Sequence, residues 1–456
     1  MLALAMCPAR SFAAEPSQRS PFRLASFSAD ITIPLGHRCM GILPVKAKRI
    51  DDPLEAHGFV LFGSARPIVL VALDWCELRN GAYDAWRDAL AEAAETDRRH
   101  VLVCCLHQHD APVADREAQR LLDGVGMAGE LYDPGFFRTA IRRVVGALRE
   151  AVRTAQPVTH LGLGQARVDR IASSRRVVLP DGRITFARGS RSGSNPIFAA
   201  APEGEIDPFL KTISFWNGDK PLLALHAYAT HPMSYYGAGG VSADFVGHAR
   251  RAQQRRHPGV HQIYVTGCAG DVTAGKYNDG SPGMRRVLAE RLGEAMQRSW
   301  QETRRVPLLG VRLRTEALQL PFRKGPQFTE HALRRQLADP NASDRQRILA
   351  AMSLSSSIRV RRGQPIDLCS IDFGHAAIVL FPAETFVAYQ LAAQHIANDR
   401  FVLCIGYGEC WPGYIPTERA FDEGFRDVWM WVDRGCEPRI RAALRRLLQT
   451  ADPRRH

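Results

Sequence analysis

The sequence predicts an α/β protein, a mixed β-sheet core with flanking helices. Three observations predict it. Short β-branched runs alternate with amphipathic stretches from about residue 58 onward, as in a buried sheet covered by helices. The connections are of both crossover and hairpin length, which favours a mixed sheet over a purely parallel one. No apolar stretch reaches the ~18 residues of a membrane-spanning helix. The longest, 59–72, is interrupted by Gly63, Arg66 and Pro67.

Along the chain, strands are expected at 59–62 and 68–73, both β-branched and apolar. A helix at 83–96 follows, with Ala85, Leu90 and Ala93 toward one face and charges on the others. Then come strand 101–106, helix 136–153, strands 211–216, 222–227 and 262–265, and helices 284–304 and 329–337. Strand 376–381, helix 385–398 and strand 401–405 complete the series. No internal repeat or long low-complexity stretch is evident. Residues 172–205, rich in Gly, Ser, Pro and Arg, read as a long excursion, a kind of segment that usually serves function or moves. Chemical candidates lie on both sides of it, so residues 21–456 are expected to form a single domain.

The formal net charge is +13, with 45% apolar and 23% charged residues, which excludes a disordered chain. Only six of the 60 cations are lysine, and the arginines are scattered. With no nucleic-acid-binding fingerprint, no nucleic-acid partner is expected. Weak attraction to anionic surfaces, abolished by salt, is what a scattered excess supplies. Residues 1–14 combine a short apolar run with small residues before Glu15-Pro16. They resemble the end of a secretory signal cleaved near Ala13 or Ala14, although a basic start is missing. The expectation is a signal segment within 1–20 and a secreted or periplasmic protein; otherwise the chain is cytoplasmic. Ten cysteines without any CxxC exclude a zinc ribbon or thioredoxin motif, and read as buried thiols.

Five segments carry candidate chemistry. Leu106-His107-Gln108-His109-Asp110 ends an apolar strand. In a strand, positions i and i+2 share a face, so His107 and His109 point together, a recurrent zinc arrangement. Asp110 stands one place too early for the metallo-β-lactamase HxHxDH pattern. His231 follows the strand 222–227 and precedes Pro232, which ends it. His226, inside that strand, reads as a buried histidine bonded to backbone. In Val265–Gly275 a strand runs into glycine-rich turns that expose Asp271 and Thr273, or else form a structural turn. Glu384 leaves a strand at Pro382 to open the helix 385–398, where a carboxylate also serves the helix dipole. Gly406–Thr417, rich in glycine and aromatics and containing Tyr414, is the kind of loop that lines pockets.

In this order the segments resemble the catalytic region of the neutral (non-lysosomal) ceramidases. The resemblance runs from Ala29-Asp-Ile-Thr-Ile-Pro34 through His107-Gln-His109, Ala229-Thr-His231-Pro, Ser242-Ala-Asp244, Gly270-Asp-Val-Thr273 and Pro382-Ala-Glu384 to Gly413-Tyr414-Ile-Pro-Thr417. It implies one zinc ion held by His107, His231, Glu384 and Tyr414. It implies that His109 and Arg175 contact the substrate amide and that Thr273 carries the family's hydroxyl, beside Asp271. The implied activity is zinc-dependent hydrolysis of an N-acylated amine, ceramide-like or more polar, by water activated at the metal. Three departures stand out. Thr273 replaces a serine. Phe425 occupies the place of a second active-site tyrosine, and losing such a donor costs about 10²–10³ in rate. The chain ends soon after Tyr414, leaving no room for the family's C-terminal β-sandwich. Two rival readings follow: a zinc hydrolase for another ester or amide, and a non-catalytic binding protein on the same scaffold.

Overall fold

The structure, a computed structural model, describes residues 21–449. Its three large sheets follow one plan. In the first, β1 (Arg23–Asp30), β2 (Glu55–Phe62) and β3 (Ile68–Leu73) form an antiparallel meander. Helix α1 (Asn80–Ala93) then crosses to β4 (Val101–Cys105), which lies parallel to β3. Helix α2 (Pro134–Val152) returns to pack on β1.

The second sheet repeats this with β5 (His160–Arg167), β6 (Phe209–Asn217) and β7 (Lys220–Tyr228) antiparallel. Crossover helix α3 (Asp244–Arg256) leads to β8 (His261–Thr266), parallel to β7, and α4 (Gly283–Gln301) packs on β5. The third has β9 (Arg312–Leu318), β10 (Ile366–Asp372) and β11 (Ala376–Leu380), then α5 (Val387–Ile396) and the parallel strand β12 (Phe401–Ile405). Helix α6 (Cys436–Leu448) closes it against β9. The described chain is therefore a threefold structural repeat, for which no internal repeat is evident in the sequence.

Strand periodicity explains how the three units meet. In β3, Ile68, Leu70 and Ala72 enter a central core, while Val69, Val71 and Leu73 face the helices. The same alternation sends Leu102 and Cys104 of β4, Leu223 and Leu225 of β7, and Ile378, Leu380, Leu403 and Ile405 of β11 and β12 into that central core. All are essentially inaccessible to solvent. Burying each large aliphatic side chain is worth about 1.5–3 kcal/mol. Burial on both faces is why these strands read as unbroken apolar runs.

The parallel strands β4, β8 and β12 form the inner edges, and their carboxyl ends are tied in a ring. Cys105 N–H donates to the Tyr407 carbonyl (3.0 Å) and Gly406 N–H to the Thr266 carbonyl (2.8 Å). The Thr266 hydroxyl donates to the Leu106 carbonyl (2.8 Å). The carboxyl ends of these three strands and of their parallel neighbours β3, β7 and β11 thus lie on the same side of the three sheets.

The sequence-based strands match within a few residues, and 68–73 and 401–405 match outright. Sequence reasoning missed α3, α6 and the helix Asp344–Arg361. The last is buried nearly all round, from Ile348 to Arg359, so no one-sided apolar stripe marks it. Its serines survive in a helix by bonding back to carbonyls, as Ser353 does to Leu349 and Ser356 to Met352. The nine described cysteines are buried free thiols, as expected. The signal expected in residues 1–20 lies outside the described residues. No helix among the described residues is long and apolar enough to cross a membrane.

Candidate metal centre

The candidate residues stand just past the strand ends that converge on the ring. His107 is the second residue after β4, His231 the third after β7 and Glu384 the fourth after β11. His107 is not in strand geometry, as the spacing argument assumed: β4 ends at Cys105 and His107 has φ +74°. Ala383 (φ +49°) and Tyr407 (φ +58°) share this left-handed backbone. Such strain in residues other than glycine collects at functional sites. Glu384 does not open a helix either. It forms a two-residue strand with Thr385, paired in parallel with Tyr414–Ile415 so that Glu384 sits opposite Tyr414, and α5 begins only at Val387. The backbone of Gly270 lies so close that a Cβ there would overlap the Glu384 carbonyl oxygen.

Hydrogen bonds set the tautomers. His231 Nδ1 lies 2.6 Å from the Ala269 carbonyl and His107 Nδ1 lies 3.1 Å from the Cys76 carbonyl, so both Nδ1 atoms donate. In the neutral rings each Nε2 therefore carries a lone pair, and both are aimed at Glu384 Oε2, at 3.0 Å from His231 and 3.3 Å from His107. With both rings neutral, three acceptors converge and none has a proton to share. The other carboxylate oxygen, Glu384 Oε1, is buried without a partner. This donor set suits a divalent cation of zinc type, with imidazole and carboxylate ligands. A second cluster, Cys76, His107 and His109, also lies within metal-ligand range. It suits a cation less well, because burial pushes the Cys76 thiol far above its usual value and His107 Nδ1 already donates to a carbonyl.

Electrostatics follow from burial and crowding. Burial opposes ionisation of Glu384, yet the His107 and His231 rings hold its carboxyl well below the usual range. Burial disfavours a charged His107, but Glu384 raises it above the usual imidazole value. His231 is pushed down to about 4 by burial and by Arg175. Burial, with the neighbouring His107 and His231, drives His109 well below its usual value, so it stays neutral.

The other expected residues take these places. His109 is buried, its ring 5.4 Å from that of His107 and 4.7 Å from that of Tyr236, and neither ring nitrogen has a partner. Arg175 places Nη2 3.3 Å from His231 Nε2 and its guanidinium carbon 5.3 Å from the Tyr414 ring centroid; its Nε has no partner. Its backbone N–H donates to the Asp271 carbonyl. The Asp271 carboxylate accepts from Val387 N–H (2.8 Å) at the start of α5, and burial lifts its pKa to about 7. Thr273 Oγ1 accepts from Gly275 N–H (3.0 Å), a turn bond. Phe425 packs edge-on against Tyr414 and Phe186, at 5.7 and 5.1 Å. His226, read as bonded to backbone, instead bonds the Thr212 hydroxyl (2.8 Å) and the Gln262 amide (2.9 Å).

The 172–205 excursion forms one wall. Ser173–Ser174 pairs with Val272–Thr273, and the fully buried Arg188 donates to the carbonyls of Ser174, Phe198, Ala201, Pro202 and Glu203. Sequence reasoning missed Glu77 and Tyr407. Glu77 is wholly buried 3.8 Å from His107 Nδ1, held by Arg79 and by Trp429 Nε1. It is the fourth residue after β3, as Glu384 is after β11. Only the repeat could have pointed to it.

No protein-family model and no curated protein matches the sequence. Among solved structures, the neutral ceramidase of Pseudomonas aeruginosa matches with TM-score 0.67 at 18% identity, over 94% of this chain and 73% of its own. A ceramidase complexed with C2 matches with TM-score 0.66 at 16% identity, over 94% and 74%. At such identities the likeness carries the architecture and leaves the chemistry to the residues. The chain has the fold of the neutral ceramidases.

Proposed function

We propose that the chain is a zinc-dependent amide hydrolase acting on an N-acylated amine, ceramide-like or more polar, with residues 21–456 as one catalytic domain. The observation that carries this reading is the convergence of two imidazole Nε2 atoms on the buried Glu384 carboxylate. The fold and the order of motifs support it. His107, His231, Glu384 and Tyr414 would hold the ion. When bound, zinc supplies a water of lowered pKa and polarises a carbonyl.

The chain's own residues do the rest. Neutral His109 accepts a proton from the attacking water and returns it to the leaving amine, its two partnerless nitrogens being free for that exchange. Arg175 turns a fixed positive charge toward the carbonyl oxygen as it becomes negative. Asp271 positions the site by holding the start of α5 and, through its carbonyl, Arg175. Thr273 steadies the adjoining turn through Gly275. Glu77 steadies His107.

Phe425 favours a second reading, since it sets a hydrocarbon edge where a phenol would assist turnover. On that reading the protein binds zinc and an acyl amine without cleaving it. Elemental analysis for zinc, then a panel of N-acyl substrates with ceramide first and esters alongside, separates the two. About one zinc per chain with amide cleavage supports the hydrolase. Zinc without cleavage supports the binding protein, and no zinc after reloading refutes both. Export to the periplasm or beyond is proposed on the character of residues 1–14, and cell fractionation tests it.

A further inference from the structure

The threefold repeat marks a residue that neither the motifs nor the ligand set includes. Tyr407 is the second residue after β12, as His107 is the second after β4, and both have left-handed backbone. Its backbone links both ligand arms. Its N–H donates to the Ala383 carbonyl (3.0 Å) and its carbonyl accepts from Cys105 N–H (3.0 Å). The ring stacks on His107, with centroids 4.4 Å apart and planes 20° apart, and lies 6.0 Å from the His231 ring. The side chain is wholly buried, yet its hydroxyl has no partner.

An unpaired buried hydroxyl is costly and rare, so one at a strained position beside a candidate ligand calls for an absent partner. Among the candidate ligands and expected substrate contacts, the other partnerless atoms are Glu384 Oε1, Arg175 Nε and both ring nitrogens of His109. All are accounted for by a cation or a substrate amide. A phenol differs from them in being a neutral donor on a rigid stem.

We propose that Tyr407 is a further catalytic residue: its O–H donates a hydrogen bond to the carbonyl oxygen of the bound amide as that oxygen gains negative charge. The proton stays on the phenol, and no bond to Tyr407 forms or breaks. The proposal rests on the hydrolase reading, but its test does not depend on turnover alone. A purely structural Tyr407 would act through its ring, which Tyr407→Phe keeps.

The experiment compares zinc-loaded parent and Tyr407→Phe for zinc content, for kcat and KM on the best amide, and for calorimetric affinity toward octylphosphonate, a tetrahedral oxyanion. Equal zinc is expected, with kcat lower by about 10²-fold, KM little changed, and phosphonate binding weaker by about 10- to 100-fold. Unchanged kcat or unchanged phosphonate affinity overturns the proposal, as does a zinc-loaded parent that binds no phosphonate. If the parent cleaves no amide, the hydrolase reading fails, and phosphonate affinity still decides whether Tyr407 serves an oxyanion. Tyr407→Leu, which also removes the stack on His107, should additionally lower zinc affinity.

Discussion

Zinc affinity should depend on pH in a way that counts the protons its ligands surrender. His231 has none to give near neutrality, because burial and Arg175 push it down to about 4. Glu384 is ionised as well, since His107 and His231 outweigh its burial. His107 differs: burial lowers it, but Glu384 outweighs burial and raises it above the usual value, so the zinc-free protein keeps its second ring proton to higher pH than a free imidazole does. Tyr414 keeps its phenolic proton throughout, burial pushing it well above its usual value despite Arg175. Both groups hold more protons in the free protein than in the complex, so affinity falls as pH falls. If all four residues bind, zinc expels one proton, that of Tyr414, on the alkaline side. It expels two below the raised His107 pKa. One proton is worth about 1.4 kcal/mol per pH unit, a factor of ten. The zinc Kd should thus rise about 10-fold per unit at alkaline pH and about 100-fold per unit on the acid side. Competition against a chelator of known protonation, from about pH 6 to about pH 9, measures this. In Tyr414→Phe the dependence should lose one proton throughout, flat on the alkaline side and about 10-fold per unit on the acid side. Equal slopes for parent and variant would remove Tyr414 from the ligand set. A parent slope that never steepens on the acid side would show that zinc does not displace the His107 proton.

Three further outcomes are expected. His231→Ala should lower zinc affinity by well over about 100-fold, the loss typical of an outer partner alone, and abolish activity; unchanged activity with zinc retained refutes the site. Arg175→Gln should lower kcat by about 10²–10³ with zinc content intact, and loss of zinc by elemental analysis would make its role structural instead. Arg188→Met removes a donor from five carbonyls, of which Ala201 keeps Lys276 Nζ and Glu203 keeps Ser174 N–H, and should destabilise the 172–205 wall by about 3 kcal/mol or more. Faster limited proteolysis within that segment checks this, and resistance equal to the parent's would mean that other contacts hold it.

The sequence by itself determined what local energetics dictate. Strands buried on both faces must be unbroken apolar runs, so 68–73 and 401–405 were legible to the residue. A histidine or glutamate placed just past such a strand has nowhere to go but the end of a sheet, so His107, His231 and Glu384 were legible as candidates before any neighbour was known. Arg175, Asp271 and Thr273 were named as well, but the bonds they make were not readable. The sequence spacing also misled where it assumed extended backbone through His109 and a helix starting at Glu384. Tertiary structure alone decided that three meanders with parallel edge strands close on one core and bring six strand ends to the same side. That convergence depends on packing between residues hundreds of positions apart, and it asks only for alternating apolar side chains, which the units supply with different residues. Hence the repeat left no trace in the sequence, and with it Glu77 and Tyr407 stayed hidden: each is ordinary in its own segment and acquires a role only where the three units meet.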